Sequence, residues 1–342
     1  MIILKELHEA SYYAAKEDNK VQCLLCPRNC IIQPDKLGQC SSRKNINGKL
    51  YALGYNRFTS VHDDPIEKKP LYQFKPGSHT MSFGGAGCNL SCDFCQNWQI
   101  SQLSAESNNM INITSDHAIN RTKELNCETI AYTYNEPLIN FEWIRDMGKK
   151  AHENGIANIL VSNGLINEEP LEELIPIIDA ANIDIKAFDS DFYNKICHFP
   201  GLEIIKKTAT RMWNRGVHVE LTMLLIPGYN DKPEDIKRFS EWVMKLMDDK
   251  VPIHFSRFYP HYKMRDVPAT PVETVINASK IAEEMGLKYV YTGNLPYSEI
   301  NTTYCQSCEA TLVERVNYNV KIKNLSKDGT CRKCNVKSDI VV

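Results

Sequence analysis

The sequence predicts an α/β fold of repeated strand–helix units with parallel strands, closed or partly closed into a barrel between two cysteine-rich flanks. Three observations predict it. From His79 to about Asn294, short apolar runs alternate with amphipathic, helix-like segments, the signature of β/α units. From about Cys23 to Leu50 the chain is rich in Gly, Pro, Asn and Cys and has little periodicity. Beyond Asn301 the apolar alternation weakens and four further cysteines close the chain.

The expected organisation is a cysteine-rich lead-in over 1–78, the barrel over 79–300 and a four-cysteine module over 301–342. A short leading helix is expected before Cys23. Strands are expected at Thr80–Gly84, Thr129–Tyr134, Ile156–Ser162, Ala181–Ile185, Val217–Leu225, Ile253–Phe258 and Lys288–Thr292. Helices are expected between them at Pro137–Asn154, Glu169–Ala180, Lys206–Arg215, Pro233–Met247 and Val272–Met285. In such folds chemistry sits where strands end, so the residues just after each run carry the functional candidates.

The chain has 342 residues, 43% of them hydrophobic and 24% charged, which suits a globular protein with a real core. A formal charge of −2 gives no global polycation and does not by itself imply nucleic acid. No sustained apolar run resembles a secretory signal or a membrane span, and a cytoplasmic protein is expected. Thirteen cysteines in a reducing compartment suggest metal ligands rather than disulfides.

The central motif is GGAGCNLSCDFCQNW, which places Cys88, Cys92 and Cys95 on one loop after the first expected barrel strand. Glycines there let the backbone fold closely around something bulky. Three thiolates at such short spacing suit a [4Fe–4S] cluster with one iron not ligated by cysteine; the alternatives are a zinc knuckle missing a ligand and a ferredoxin-type cluster whose fourth cysteine lies elsewhere. Cys305 and Cys308, then 22 residues, then Cys331 and Cys334 form the two-knuckle spacing of a zinc ribbon, with LVERVNYNVKIKN between them reading as a hairpin. Arg315, Lys321, Lys323, Lys327, Arg332, Lys333 and Lys337 make this module basic. It is either a docking module for substrate or a clamp on the terminus. Cys23, Cys26, Cys30 and Cys40 could hold zinc or a second [4Fe–4S] cluster. Cys127 reads as a buried apolar residue.

The C-x3-C-x2-C loop, with Phe94 before its last cysteine, resembles that of radical S-adenosylmethionine (SAM) enzymes. The resemblance implies a partial (β/α)6 barrel in which Cys88, Cys92 and Cys95 hold the cluster. SAM would chelate its open iron and be cleaved reductively to a 5′-deoxyadenosyl radical that abstracts hydrogen from a substrate. It also implies that Glu136, in YTYNEP, receives the SAM amino group, with Asn135 beside it. Ser162 and Asn163, in VSNG, resemble the SAM-facing pair of glycyl-radical-enzyme activases. This chain has Val161 where those activases usually carry an Asp, so the resemblance does not carry over a monovalent-cation site. Asp184 and Lys186, in DIK, and the turn IPGYND are further activase-like features. His254 and Arg257 are read as lining the cavity, His254 as a candidate adenine contact. Cys197 is a candidate hydrogen-atom donor, and with Lys186 it completes the catalytic candidates.

Blocks such as CLLCPRNC, DPIEKKPLYQFKPGS, YVYTGN and the terminal ribbon, in that order, resemble the radical SAM protein of the AmmeMemoRadiSam system, a relative of pyruvate formate-lyase activating enzyme. That resemblance implies Memo-like and AMMECR1-like partners and an electron donor such as flavodoxin or ferredoxin. Three functions are expected in turn. The first is hydrogen abstraction from a macromolecule, such as a protein glycine. The second is radical modification of RNA, and the third a non-catalytic iron–sulfur or zinc protein.

Overall fold

The computed structural model describes residues 7–295 and 301–342. Its centre is an eight-stranded sheet in the order β8-β7-β6-β5-β4-β3-β2-β1. The strands are β1 (Ser60–Pro65), β2 (His79–Gly84), β3 (Thr129–Tyr132), β4 (Ala157–Ser162), β5 (Ala180–Asp184), β6 (His218–Leu225), β7 (Ile253–Arg257) and β8 (Val290–Gly293). Neighbours from β2 to β8 are parallel, and β1 runs antiparallel to β2. The two edge strands do not pair, so the barrel is partial.

Six helices make the crossovers that parallel strands require: α1 (Ser115–Glu124), α2 (Phe141–Glu153), α3 (Glu168–Leu174), α4 (Leu202–Asn214), α5 (Pro233–Leu246) and α6 (Val272–Glu284). Six β/α units therefore run from β2 to α6, and β8 adds a seventh parallel strand. All seven expected strands form, within two residues at each end.

Two local expectations fail for identifiable reasons. No leading helix forms among the described residues. The strands His8–Glu9 and Tyr13–Ala15 stand there instead, and His8 pairs with Ala52. Between them Tyr12 sits at φ +54°, a conformation that interrupts any helix. The helix expected through Ala180 ends at Leu174 and tightens into a 3-10 turn at Ile175–Ile177, because Pro176 has no N–H to donate. Helix α1 fills the gap between the first two expected barrel strands, for which no helix bounds were named. It starts at Thr114, whose hydroxyl accepts the His117 N–H at 3.3 Å, a conventional N-cap.

The barrel interior is filled by the segment 66–77, which has no regular period. Ile66, Leu71 and Phe74 pack against Ala131, Ile159 and Ala180 of the inner wall. Its backbone is held by inward-facing polar side chains. Asn182 donates to the Pro70 carbonyl at 2.8 Å, and Glu220 Oε1 accepts the Tyr72 and Gln73 N–H groups at 2.8 and 2.7 Å. These bonds satisfy loop backbone that would otherwise be buried without partners.

The C-terminal module docks on the same plug. Strands β9 (Thr303–Tyr304), β10 (Thr311–Val316) and β11 (Asn319–Ile322) form its sheet, with β10 and β11 the expected hairpin. Val341 exchanges backbone hydrogen bonds with Lys75 and Gln73 at 2.7 and 2.9 Å. The buried guanidinium of Arg315 reaches the Asn301 carbonyl, Thr303 and the Tyr72 carbonyl, and lies over the Tyr72 ring. Asp339 accepts from Tyr289 and pairs with Lys250, residues that precede β8 and β7. The module thus clamps the end of the barrel where strands begin. No helix among the described residues is long and apolar enough to cross a membrane.

Candidate active site and metal centres

At the other end of the barrel, the loop after β2 carries Cys88, Cys92 and Cys95, and neighbouring loops shape it. Gly87 sits at φ +91°, and a Cβ there would lie 2.0 Å from the Cys40 carbonyl oxygen, so only glycine fits. Asn135 clamps this stretch: its Oδ1 accepts the Gly85 N–H at 3.0 Å, and its Nδ2 donates to the Gly87 carbonyl at 2.7 Å. From the far side, the Ser91 and Asp93 N–H groups donate to the carbonyls of Cys197 and Ile196 at 3.4 and 3.0 Å. Asp93 in turn accepts from His198 and Lys263 at 2.9 and 3.0 Å.

Glu136 lies beside this loop, 2% exposed. Its Oε1 accepts from the Ser162 hydroxyl at 2.7 Å and the Leu138 N–H at 3.0 Å, and its Oε2 from the Asn163 N–H at 2.8 Å. Burial nevertheless outweighs these donors and pushes the carboxyl up to about 7. Asn163 Nδ2 donates to Asn89 Oδ1 at 2.9 Å and lies 3.9 Å from Cys88 Sγ, while its Oδ1 accepts the Leu165 N–H at 2.9 Å. Asn163 therefore ties the loop after β4 to the cysteine loop after β2.

Lys186, just beyond β5, places its ammonium 2.6 Å from Asp184. Burial works against its charge, but Asp184 and the Cys92 sulfur outweigh it and the pKa is raised. Its backbone is fixed at both groups: the N–H donates to Tyr193 Oη at 2.9 Å, and the carbonyl accepts from Asn230 at 2.7 Å. Cys197 is fully buried, and its thiol is the largest cause of the raised Cys92 pKa.

The structure thus gathers Glu136, Asn135, Ser162, Asn163, Asp184, Lys186 and Cys197 around the three cysteines. It does not bring His254 there. His254 is buried in the plugged interior, its Nε2 2.6 Å from Glu220 and its ring edge-on to Tyr72, so it is a satisfied core histidine. Arg257 does not share its face either, because positions three apart on a strand point to opposite sides. Its Nε donates to the Thr270 carbonyl at 2.6 Å. Cys127 is buried beside Asp63, as its apolar reading implies. The reading of single motifs missed Asn89, Tyr193 and Asn230, whose roles come from loops distant in sequence. The positions of Asn89 inside the cysteine motif and Asn230 inside IPGYND were the available signals.

The C-terminal quartet converges. Cys305 and Cys334 sulfurs lie 3.6 Å apart, those of Cys308 and Cys331 3.8 Å, and all four fall within 4.8 Å of one another. A tetrahedral ion with metal–sulfur bonds of about 2.3 Å requires S···S edges of about 3.8 Å. Asn335, directly after Cys334, takes φ +60° and donates its N–H to the Cys331 carbonyl at 2.8 Å, which closes the second knuckle.

Among known protein families, residues 83–240 match the Radical SAM superfamily. The uncharacterized protein MJ0808 of Methanocaldococcus jannaschii is 43% identical over 337 residues, which cover 98% of this chain and 100% of that protein. A pyruvate formate-lyase-activating enzyme of Staphylococcus epidermidis is 26% identical over 175 residues, 47% of this chain and 67% of the enzyme. A solved domain of pyruvate-formate lyase-activating enzyme from Bacteroides vulgatus aligns with TM-score 0.44 and 22% identity, covering 48% of this chain and 99% of that domain. This chain carries a radical SAM domain over residues 83–240. It is related to pyruvate formate-lyase activating enzymes, and that relation is distant.

The superfamily implies a [4Fe–4S] cluster and SAM, and the residues fit both. Three thiols stand on one loop, and the Leu90 N–H donates to Cys88 Sγ at 3.4 Å while Ser101 lies 3.2 Å from Cys95 Sγ. N–H and O–H groups directed at sulfur suit thiolates that carry cluster charge.

Proposed function

We propose that this protein abstracts hydrogen from a macromolecular substrate, a protein glycine in the closest reading, as an activase does. The cluster and SAM, when bound, supply one-electron cleavage of SAM and hence hydrogen-atom abstraction. Cys88, Cys92 and Cys95 would hold the cluster. Glu136 would take the ammonium of SAM, which relieves the cost of its own buried charge. Asn163 orients Glu136 through its backbone and braces the cysteine loop through its side chain. Lys186 keeps a positive charge beside Cys92, and Asn135 holds the glycine backbone in place.

The observation that carries this reading is the convergence of Glu136, Asn163 and Cys88 from three separate loops. The relation to pyruvate formate-lyase-activating enzymes supports a protein substrate. The basic C-terminal module sits at the opposite end of the barrel from the cysteine loop, which supports a clamp over a docking module for substrate. Zinc is proposed for Cys305, Cys308, Cys331 and Cys334 on the strength of their spacing. Flavodoxin or ferredoxin as donor, and Memo-like and AMMECR1-like proteins as partners, belong to the same proposal. The test is deuterium transfer: proteins labelled at glycine, incubated with the reconstituted enzyme, should yield deuterated 5′-deoxyadenosine. Label arriving only from RNA would overturn the protein reading.

A further inference from the structure

The N-terminal cysteines share their neighbourhood with a buried cation that lacks enough partners. The strand Val21–Cys23 pairs with Tyr13–Ala15 and with Ile31–Ile32. The Cys23 N–H reaches the Cys30 carbonyl at 2.9 Å, which closes a loop containing Cys26. Cys40 enters from a second turn, closed by the Gly38 N–H on the Arg43 carbonyl at 2.8 Å. Cys23 is buried and Cys26, Cys30 and Cys40 are half-buried.

Arg43 is 1% exposed. Its Nη2 donates to Glu142 Oε1 at 2.6 Å and to the Ser11 carbonyl at 2.7 Å. Its Nε and Nη1 find no hydrogen-bond partner among the described residues. After Glu142, the groups acting most strongly on this guanidinium are Cys23 and Cys40. A buried donor left without an acceptor is costly, and a guanidinium matches anionic acceptors best. The missing acceptors would be supplied by thiolates.

Spacing decides what those thiolates hold. Among the described residues, the C-terminal quartet is the only set of three or more such ligands that meets within 4.8 Å. No three of the N-terminal sulfurs meet that condition, nor do those of Cys88, Cys92 and Cys95. A single ion draws four sulfurs to edges of about 3.8 Å, whereas a cubane interposes iron and sulfide between its ligands and keeps them apart. We infer that Cys23, Cys26, Cys30 and Cys40 hold a second [4Fe–4S] cluster, with Arg43 donating to its sulfur ligands.

This centre is built onto the loop of the first. The Cys40 carbonyl packs on Gly87, and Arg28 donates to the carbonyls of Asn89 and His198. Asn167, after β4, donates to the Leu24 carbonyl at 2.7 Å. A cluster here would therefore order one wall of the Cys88–Cys95 loop.

Full-length protein, reconstituted anaerobically with iron and sulfide, should bind about eight irons per chain, two cubanes' worth. The Cys88→Ala/Cys92→Ala/Cys95→Ala variant should retain about four, with a reduced-state EPR signal that SAM does not alter. Adding Cys26→Ala and Cys40→Ala should remove them. Arg43→Gln should keep the iron and shift the midpoint of that signal to more negative potential, as lost hydrogen bonds to sulfur do. About four irons in the wild type, all lost in the triple variant, would overturn this proposal and leave the radical SAM reading intact. A second zinc per chain in place of iron would overturn it equally.

Discussion

The backbone N–H of Asn163 meets Glu136 Oε2 at 2.8 Å, while the side chain of the same asparagine reaches Asn89 at 2.9 Å. One residue thus joins a buried carboxylate to the loop that carries the cysteines.

Glu136 should make stability pH-dependent in the protein without SAM. Its carboxyl sits at about 7 against an ordinary 4.5. Below 4.5 it is neutral whether the chain is folded or not, and its relative stabilisation is complete. That stabilisation is lost as pH rises through about 7, where the folded protein must hold a buried anion. The difference of about 2.5 pKa units corresponds to at most ~3 kcal/mol. Denaturant titrations should show the stability gap between wild type and Glu136→Gln changing by up to that amount between pH 4.5 and 8. SAM affinity, by calorimetry, should weaken below about pH 7 in the wild type and lose that dependence in the variant.

Asn163→Ala should loosen the cysteine loop. It leaves Asn89 Oδ1 and the Leu165 N–H unpaired in a buried setting, at a cost of ~1–3 kcal/mol. Reconstituted protein should hold less iron at the Cys88–Cys95 site after gel filtration. Iron retention equal to wild type would show that the brace is dispensable.

The interior plug predicts a different phenotype. Glu220 bonds His218, His254 and two plug N–H groups. Burial raises its pKa, but the two histidines outweigh this and bring it down to about 2. This contribution is present above 4.5 and lost as pH falls toward 2. Removing one partner from such a buried set typically costs ~3–5 kcal/mol. Glu220→Ala should therefore lower the unfolding midpoint sharply. His254→Asn, by contrast, should leave SAM affinity unchanged, since His254 lies in the plug and not at the loop.

Much of this was legible from residue order, and the reasons are physical. Parallel strands buried on both faces give short apolar runs, and amphipathic crossovers separate them, so all seven parallel strands could be placed. The cysteine spacing was equally plain because ligands on one short loop are local. The plug was not legible: Ile66, Leu71 and Phe74 follow no period, and Glu67, Lys68, Lys69 and Pro70 break the run between the first two. Strand β1 reads SVHDDP, whose polarity resembles a loop, and only its edge position makes it a strand. His254 looked available for a ligand because its partner, Glu220, is 34 residues away. That Asn135 clamps the Gly85 and Gly87 backbone with both ends of its amide also depended on distant loops.

Losing the C-terminal metal should act locally. Cys308→Ser/Cys334→Ser protein should lack one bound metal and lose amide-exchange protection at residues 67–78, through Val341 and Arg315. Protection equal to wild type would contradict the clamp.

The central claim is that the loop of Cys88, Cys92 and Cys95 makes this chain a radical SAM catalyst. Anaerobically reconstituted protein given SAM and dithionite should release 5′-deoxyadenosine, read by chromatography and mass, and Cys92→Ala should release none. An intact [4Fe–4S] cluster with SAM bound and no 5′-deoxyadenosine above the variant's background would contradict it.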